Sequence, residues 1–287
     1  MKKQVIAMTT LGKNGRFGNQ IFQYAFLKIY GKVFGLEVQT PRWIGNYLFN
    51  ARDPKVSKRY PTVVEDEFKN EVKNIGTIDE NVFEHEEPPY TNVDLWGYFQ
   101  FHTSHISSYK DYVRSLFTPV PSIESFLQKG MTRLRSKGKT IIGLHLRRGD
   151  YLHYKDSELR GFFYAAPTEW YKELLEQIWP TLEEPVLFIA SDDIDSVIHD
   201  FSEYSPITSN NIFDQSEMNQ LFPNCNFYPD FYLLSQCDVM AISNSSFSFA
   251  ASMLNVNGKS FYRPIYKAKS LVPYDPWSSR VLLWSQP

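Results

Sequence analysis

The run Thr140 to Asp150, TIIGLHLRRGD, constrains the fold more than any other stretch of the chain. Thr140 to Leu146 is short, apolar and rich in β-branched residues, the pattern of a strand buried in a parallel sheet. It ends abruptly in His145, Arg147, Arg148 and Asp150, with Gly149 loosening the turn between the last two. In an open α/β sheet, ligands bind outside the carboxyl ends of the strands. Two guanidinium forks at that edge suit a diphosphate, because each matches phosphate oxygens in a bidentate way. For an Arg-Arg pair alone, a basic surface turn is the competing reading. The rest of the chain decides between them.

Around this run the second half alternates strands with helices, which predicts an α/β fold. Helices are expected over Ser122 to Arg135, from a Thr168 N-cap to Trp179, and over Pro229 to Cys237. Strands are expected at Pro185 to Ala190 and Val239 to Ser243, with Lys259 to Arg263 as the last one. Asn244-Ser245-Ser246-Phe247 leads into a further helix that runs through Leu254. Three strands therefore end in polar clusters: His145/Arg147/Arg148/Asp150, Asp192/Asp193 and Asn244/Ser245/Ser246. Parallel pairing would gather them along one edge, which favours a binding cleft over a surface turn.

The first half opens with a strand at Gln4 to Met8, a Gly-rich turn from Gly12 to Gln20, and a helix from about Gln20 to Phe34. Gly35 closes that helix as a C′ residue, and Leu36 to Thr40 resumes as strand. Such a turn lets backbone approach a ligand closely, and the helix behind it offers free N–H groups. The same pattern also fits a plain tight turn, and its spacing matches neither the dinucleotide fingerprint nor the Walker A loop. Pro41 to Pro89 reads as loops and short helices, Asp94 to Phe99 as strand, and Ser104 to Phe117 as helix. Pro119 and Pro121 mark a boundary between domains of residues 1–121 and 122–287.

Composition narrows the classes of function. A net charge of −2 supplies no long-range field for nucleic acid or an anionic membrane, so any basic site is local. The two cysteines, Cys225 and Cys237, form neither a zinc pattern nor a disulfide framework, which suits a reducing compartment. No signal peptide and no apolar run approaching about 18 residues is present, so a soluble cytoplasmic protein is expected. Aromatic residues make up 16% of the chain, enough to serve both cores and a rim that stacks on sugars or bases.

Taken together, the motifs resemble glycosyltransferase family 11, the α-1,2-fucosyltransferases, and the wider inverting fucosyltransferase group. GRFGNQIFQYA (Gly15 to Ala25) is similar to the family's G-R-x-G-N-Q-x-x-Q-Y-A opening, and HLRRGDY (His145 to Tyr151) to its H-x-R-R-x-D-Y block. ASDDI (Ala190 to Ile194), SNSSFSFAA (Ser243 to Ala251) and WGYFQ (Trp96 to Gln100) resemble further blocks, in the expected order. Phe249 and Ala250 depart from the paired Trp of many relatives, and Pro41 to Pro89 matches no block.

The resemblance implies a GT-B architecture, two Rossmann-like domains facing across a cleft. The C-terminal half would hold GDP-fucose, and the N-terminal half a galactose-terminated acceptor. The implied reaction is inverting transfer of L-fucose to the 2-OH of a terminal galactoside, with no cofactor and no metal. It would build a surface glycan from the cytoplasm, since Golgi-type relatives normally carry a membrane anchor. Donor contacts fall on Gly18, Asn19, Gln20, Arg147, Arg148, Asp192, Asp193, Asn244, Ser245, Ser246 and Phe247.

Arg147 and Arg148 would neutralise charge developing on the GDP leaving group; by the resemblance Arg147 is the stronger catalytic candidate and Arg148 would partly hold the loop. Ser245, Ser246 and the Phe247 amide favour a phosphate at a helix N-terminus, or simply cap that helix. Asp192 and Asp193 would accept hydrogen bonds from guanine or ribose. Asp193-Ile194-Asp195 also reads D-x-D, a metal-binding pattern of another transferase architecture; for Asp195 a solvated helix start is the plainer role. Asp150 and His145 are the candidate general bases, each able instead to orient the arginines, with the departing phosphate as the alternative proton acceptor. Asn19 would bridge to the sugar or phosphate, or cap its helix. Two other readings use the same residues: transfer of fucose to a protein hydroxyl, and an adhesion module presenting Arg148-Gly149-Asp150.

Overall fold

The computed structural model describes residues 3–154 and 163–283, which divide into two compact units. One runs to Val120 and takes in Trp277–Arg280; the other begins at Pro121, runs to Pro276 and resumes at Val281. Trp277–Arg280 joins the first unit through specific bonds. Thr103 N–H donates to Ser279 O at 3.0 Å, and Arg280 makes a two-pronged ion pair with Glu80 at 2.6 and 3.0 Å. Nothing in the local sequence marks that stretch for a distant unit.

The first unit holds five parallel strands in the order β2-β1-β5-β3-β4: β1 Val5–Ala7, β2 Glu37–Gln39, β3 Thr62–Glu65, β4 Thr77–Ile78 and β5 Val93–Trp96. Between β1 and β2 runs the helix Phe17–Val33, whose residues are buried on nearly every side. It starts three residues before the expected Gln20, because Arg16 is extended and the turn closes sooner. Its end is as expected: Gly35 takes φ +66° and Leu36 N–H reaches back to Gly31 O at 2.9 Å, a Schellman closure. The reading of Pro41 to Pro89 as loops and short helices needs correction, since it contributes β3 and β4. Val63 and Val64 are fully buried there, but the run TVVE is too short, and too close to Pro61 and Asp66, to stand out by periodicity. Ser104 to Phe117 is also refined, into a 3-10 stretch at Thr103–Tyr109 and an α-helix at Lys110–Leu116.

The second unit has the order β10-β9-β8-β6-β7. Here β6 is Thr140–Leu146, β7 Pro185–Ser191, β8 Val239–Ala241, β9 Ser260–Ile265 and β10 Ser270–Pro273. β6 pairs in parallel with β7 over all seven residues and with β8 on its other side. The strand expected to be last, Lys259 to Arg263, is followed by β10, which turns back antiparallel to β9. Alternation along β6 sorts its side chains. Ile142, Leu144 and Leu146 join a core with Tyr171, Leu174 and Leu175 of the helix Thr168–Ile178. Each such fully buried aliphatic side chain contributes about 1.5–3 kcal/mol. On the opposite face, a Cβ at Gly143 would meet Cys237 Sγ at 2.6 Å, and His145 meets Ser248 of the helix Ser246–Leu254. Thr168 is the first helical residue rather than the N-cap, which is Pro167 in extended conformation, and Trp179 opens a 3-10 turn. Among the described residues, no helix is long and apolar enough to cross a membrane.

Candidate functional site

Because β8, β6 and β7 are parallel neighbours, their carboxyl ends bring together the three polar clusters of the second unit. Asp192, just past β7, organises the two arginines that follow β6. Its Oδ1 accepts the Arg148 backbone N–H at 2.7 Å, and its Oδ2 lies 2.8 Å from Arg147 Nη1. The other prong of Arg147, Nη2, donates to Asp150 Oδ1 at 2.5 Å, and its guanidinium lies 5.1 Å from the Tyr151 ring centroid. Arg147 is thus a fixed fork, its side chain 14% exposed between two carboxylates. Gly149 makes the arrangement possible, since a Cβ there would stand 2.2 Å from Asp192 Oδ2.

Arg148 is buried, and its Nη1 donates to the Arg147 carbonyl at 3.1 Å. This geometry contradicts the adhesion reading, because a tripeptide presented to a receptor needs both charges in solvent. Here Arg148 is enclosed and Asp150 is bound to Arg147.

His145 is buried, and its Nδ1 lies 2.7 Å from Ser243 Oγ and 2.8 Å from Ser248 Oγ. Burial, reinforced by the positive charges of Arg147 and Arg148, pushes its pKa down to about 3, so the ring is neutral at ordinary pH. It ties the end of β6 to the segment after β8. Tyr171 makes the same tie from the other face, its hydroxyl within reach of His145 O at 3.3 Å and Ile242 O at 3.1 Å.

Ser245 caps the Ser246–Leu254 helix by accepting the Phe247 N–H at 3.3 Å. Asn244 is turned to the C-terminal stretch, donating to Leu283 O at 2.7 Å and accepting Leu283 N–H at 2.9 Å. Its backbone carbonyl takes the Tyr151 hydroxyl at 3.1 Å. Asp193 N–H bonds Ser191 Oγ at 3.1 Å, and Asp195 is an exposed residue in a turn, not the expected helix start. Among the described residues, no group of three or more His, Cys, Asp or Glu side chains is placed to hold a metal ion. Beside Arg148 lies a pocket of about 460 Å³ lined also by Tyr151, Phe163, Tyr164, Glu169 and Asp200 among others. That volume falls within the range of small-molecule sites.

Gly18, Asn19 and Gln20 belong to the first unit, in the first turn of the helix Phe17–Val33. Gly15, at φ +78°, has no room for a Cβ: it would stand 2.3 Å from Asn19 Nδ2. Asn19 Oδ1 accepts from Gln100 Nε2 at 2.8 Å, and Gln20 Nε2 donates to Gly15 O at 3.4 Å. Gln23, fully buried, clamps this loop to the one after β5 by donating to Asn14 O at 3.2 Å and Gly97 O at 2.8 Å.

Sequence reasoning missed Glu65, at the carboxyl end of β3. Its Oε2 accepts the backbone N–H groups of both Tyr98 and Phe99 at 2.7 Å. Burial pushes its pKa up to about 7, against those amide bonds and with a smaller push from Glu67. In the unfolded chain it ionises near 4.5. The folded state therefore holds a proton that the unfolded state has lost, and this contribution to stability fades as pH rises from about 4.5 to about 7. A difference of that size amounts to at most about 3 kcal/mol. Denaturant unfolding across this window should show a flatter pH dependence for Glu65→Gln than for wild type; parallel curves would rule out Glu65 as the titrating group.

The glycosyl transferase family 11 model matches residues 1–267. The chain belongs to that family. Galactoside alpha-(1,2)-fucosyltransferase 1 of Saimiri boliviensis boliviensis is 23% identical over 264 residues, covering 85% of this chain and 64% of the relative. The enzyme of the same name from Aotus nancymaae gives the same identity and coverage. The chain thus spans about 64% of the length of these curated relatives. Among solved structures, fucosyltransferase NodZ from Bradyrhizobium has a TM-score of 0.62 at 13% identity, covering 96% of this chain and 99% of that one. POFUT1 in complex with GDP-fucose has a TM-score of 0.54 at 12% identity, with 90% and 96% covered. At these identities the likeness concerns the fold, which is α/β and GT-B-like, with two largely parallel sheets.

Proposed function

We propose that this family 11 chain transfers L-fucose from GDP-fucose, with inversion and without a metal ion, to the 2-OH of a terminal galactoside. The observation that carries the reading is the Arg147 fork, fixed by Asp192 and Asp150 at the carboxyl end of β6. When the glycosidic bond breaks, negative charge grows on the diphosphate, and a preorganised cation stabilises that charge most in the transition state. Each charge-assisted hydrogen bond contributes about 1.5–3 kcal/mol, so two supply several powers of ten in rate. The capped N-terminus of Ser246–Leu254 offers Ser246 and the Phe247 region to a second phosphate.

Of the candidate bases, Asp150 is about one-third exposed, at 32%, whereas His145 is enclosed and neutral. We assign proton removal to Asp150 and a positioning part to His145. The donor half of the reading is supported by structural neighbours seen with GDP-fucose, NodZ and POFUT1, and the acceptor half by the similar galactoside alpha-(1,2)-fucosyltransferases. Titration calorimetry with GDP and UDP in excess EDTA tests the donor. GDP is expected to bind at least tenfold more tightly than UDP; equal affinities, or binding only after manganese is restored, would contradict this.

A further inference from the structure

We infer that Glu65 is a positioning residue for Asn19, acting through the loop after β5. The inference rests on the proposed function and on the donor contact that the sequence resemblance implies for Asn19. Directly after β5, Gly97 takes φ +158° and Phe99 takes φ +54°. Phe99 is thus a side-chain-bearing residue in the left-handed region, a conformation that persists only where its surroundings over-determine it. Glu65 supplies that determination from below, with one oxygen bound to the N–H groups of Tyr98 and Phe99. Gly97 must lack a side chain for this approach, since a Cβ would meet Glu65 Oε2 at 2.6 Å.

The residue that leaves this kinked loop is Gln100, and its amide donates to Asn19 Oδ1. Asn19 is thereby held from two directions, by Gln100 on its oxygen and by the bare Cα of Gly15 against its nitrogen end. Gln23 joins the same two loops through Asn14 O and Gly97 O. A buried acid is costly, and burial here pushes it up to about 7. The bonds it makes are all to this one loop, which accounts for an acid where Val63 and Val64 precede it.

Hydrogen–deuterium exchange of wild type, Glu65→Ala, Glu65→Gln and Gln100→Ala tests the chain of contacts without relying on activity. Glu65→Ala is expected to raise exchange at least tenfold in both 97–100 and 14–20, and Glu65→Gln, which keeps an acceptor oxygen, to restore most of the protection. Gln100→Ala, which leaves Glu65 in place, should raise exchange in 14–20 while sparing 97–99, and it decides the question if Glu65→Ala fails to fold. A rise confined to 97–100 in Glu65→Ala, or an unchanged 14–20 in Gln100→Ala, overturns the inference. In transfer assays Glu65→Ala and Gln100→Ala should each lose at least tenfold in kcat/KM, Glu65→Gln should recover most of that loss, and Glu65→Ala/Gln100→Ala should lose no more than twofold beyond the worse single variant; additive losses count against positioning. Wild type that transfers no fucose, with the exchange pattern intact, would strike the donor reading alone.

Discussion

Arg147→Ala is expected to lower fucose transfer by about three powers of ten, with most of the loss in kcat. The side chain is held by Asp192 at 2.8 Å and Asp150 at 2.5 Å and is largely shielded from solvent. A cation so fixed needs no reorganisation when charge appears on the leaving diphosphate, and that charge exists fully only once the bond breaks. The fold should tolerate the change, because Asp192 keeps the Arg148 N–H and Asp150 is partly solvated. Arg147→Lys should fall between the two, retaining charge but losing the fork. Steady-state kinetics checks this: near-normal kcat in Arg147→Ala, or a loss confined to donor KM, would remove Arg147 from the chemical step.

Gly149→Ala is expected to cost about 1–3 kcal/mol of stability and about a hundredfold in transfer. The added methyl group would sit 2.2 Å from the Asp192 oxygen that holds Arg147. Asp192 has no free swing, since its other oxygen accepts the Arg148 N–H at 2.7 Å. One of these contacts must break. Thermal unfolding and kcat measured on Gly149→Ala, Asp192→Ala and the double variant separate this from a general loop effect. The double variant should be no worse than Asp192→Ala alone, because the clash then has no partner; losses that add would contradict it.

Much of this site was legible because it follows from strand order. The run at 140–146 reads as a buried strand, and parallel pairing with β7 and β8 then forces Arg147, Asp192 and Ser245 to one edge. What periodicity cannot give is which polar group each one serves. Asn244 looked like a ligand contact, yet its amide is used on Leu283, and Arg148, expected at the diphosphate, is buried with its Nη1 on the Arg147 carbonyl. Glu65 escaped notice for a different reason. Its strand is four residues long, and its partners are backbone amides 33 and 34 residues away, which leave no side-chain signature. The WGYFQ segment was visible, but the left-handed turn at Phe99 is a property of backbone, not of composition.

The most direct test of the account is fucose transfer from GDP-fucose to a panel of terminal galactosides in excess EDTA, with the product linkage mapped by NMR. The account predicts a single α-1,2-linked product that forms without added metal. No transfer to any galactoside, a product with another linkage, or activity that returns only with manganese would contradict it.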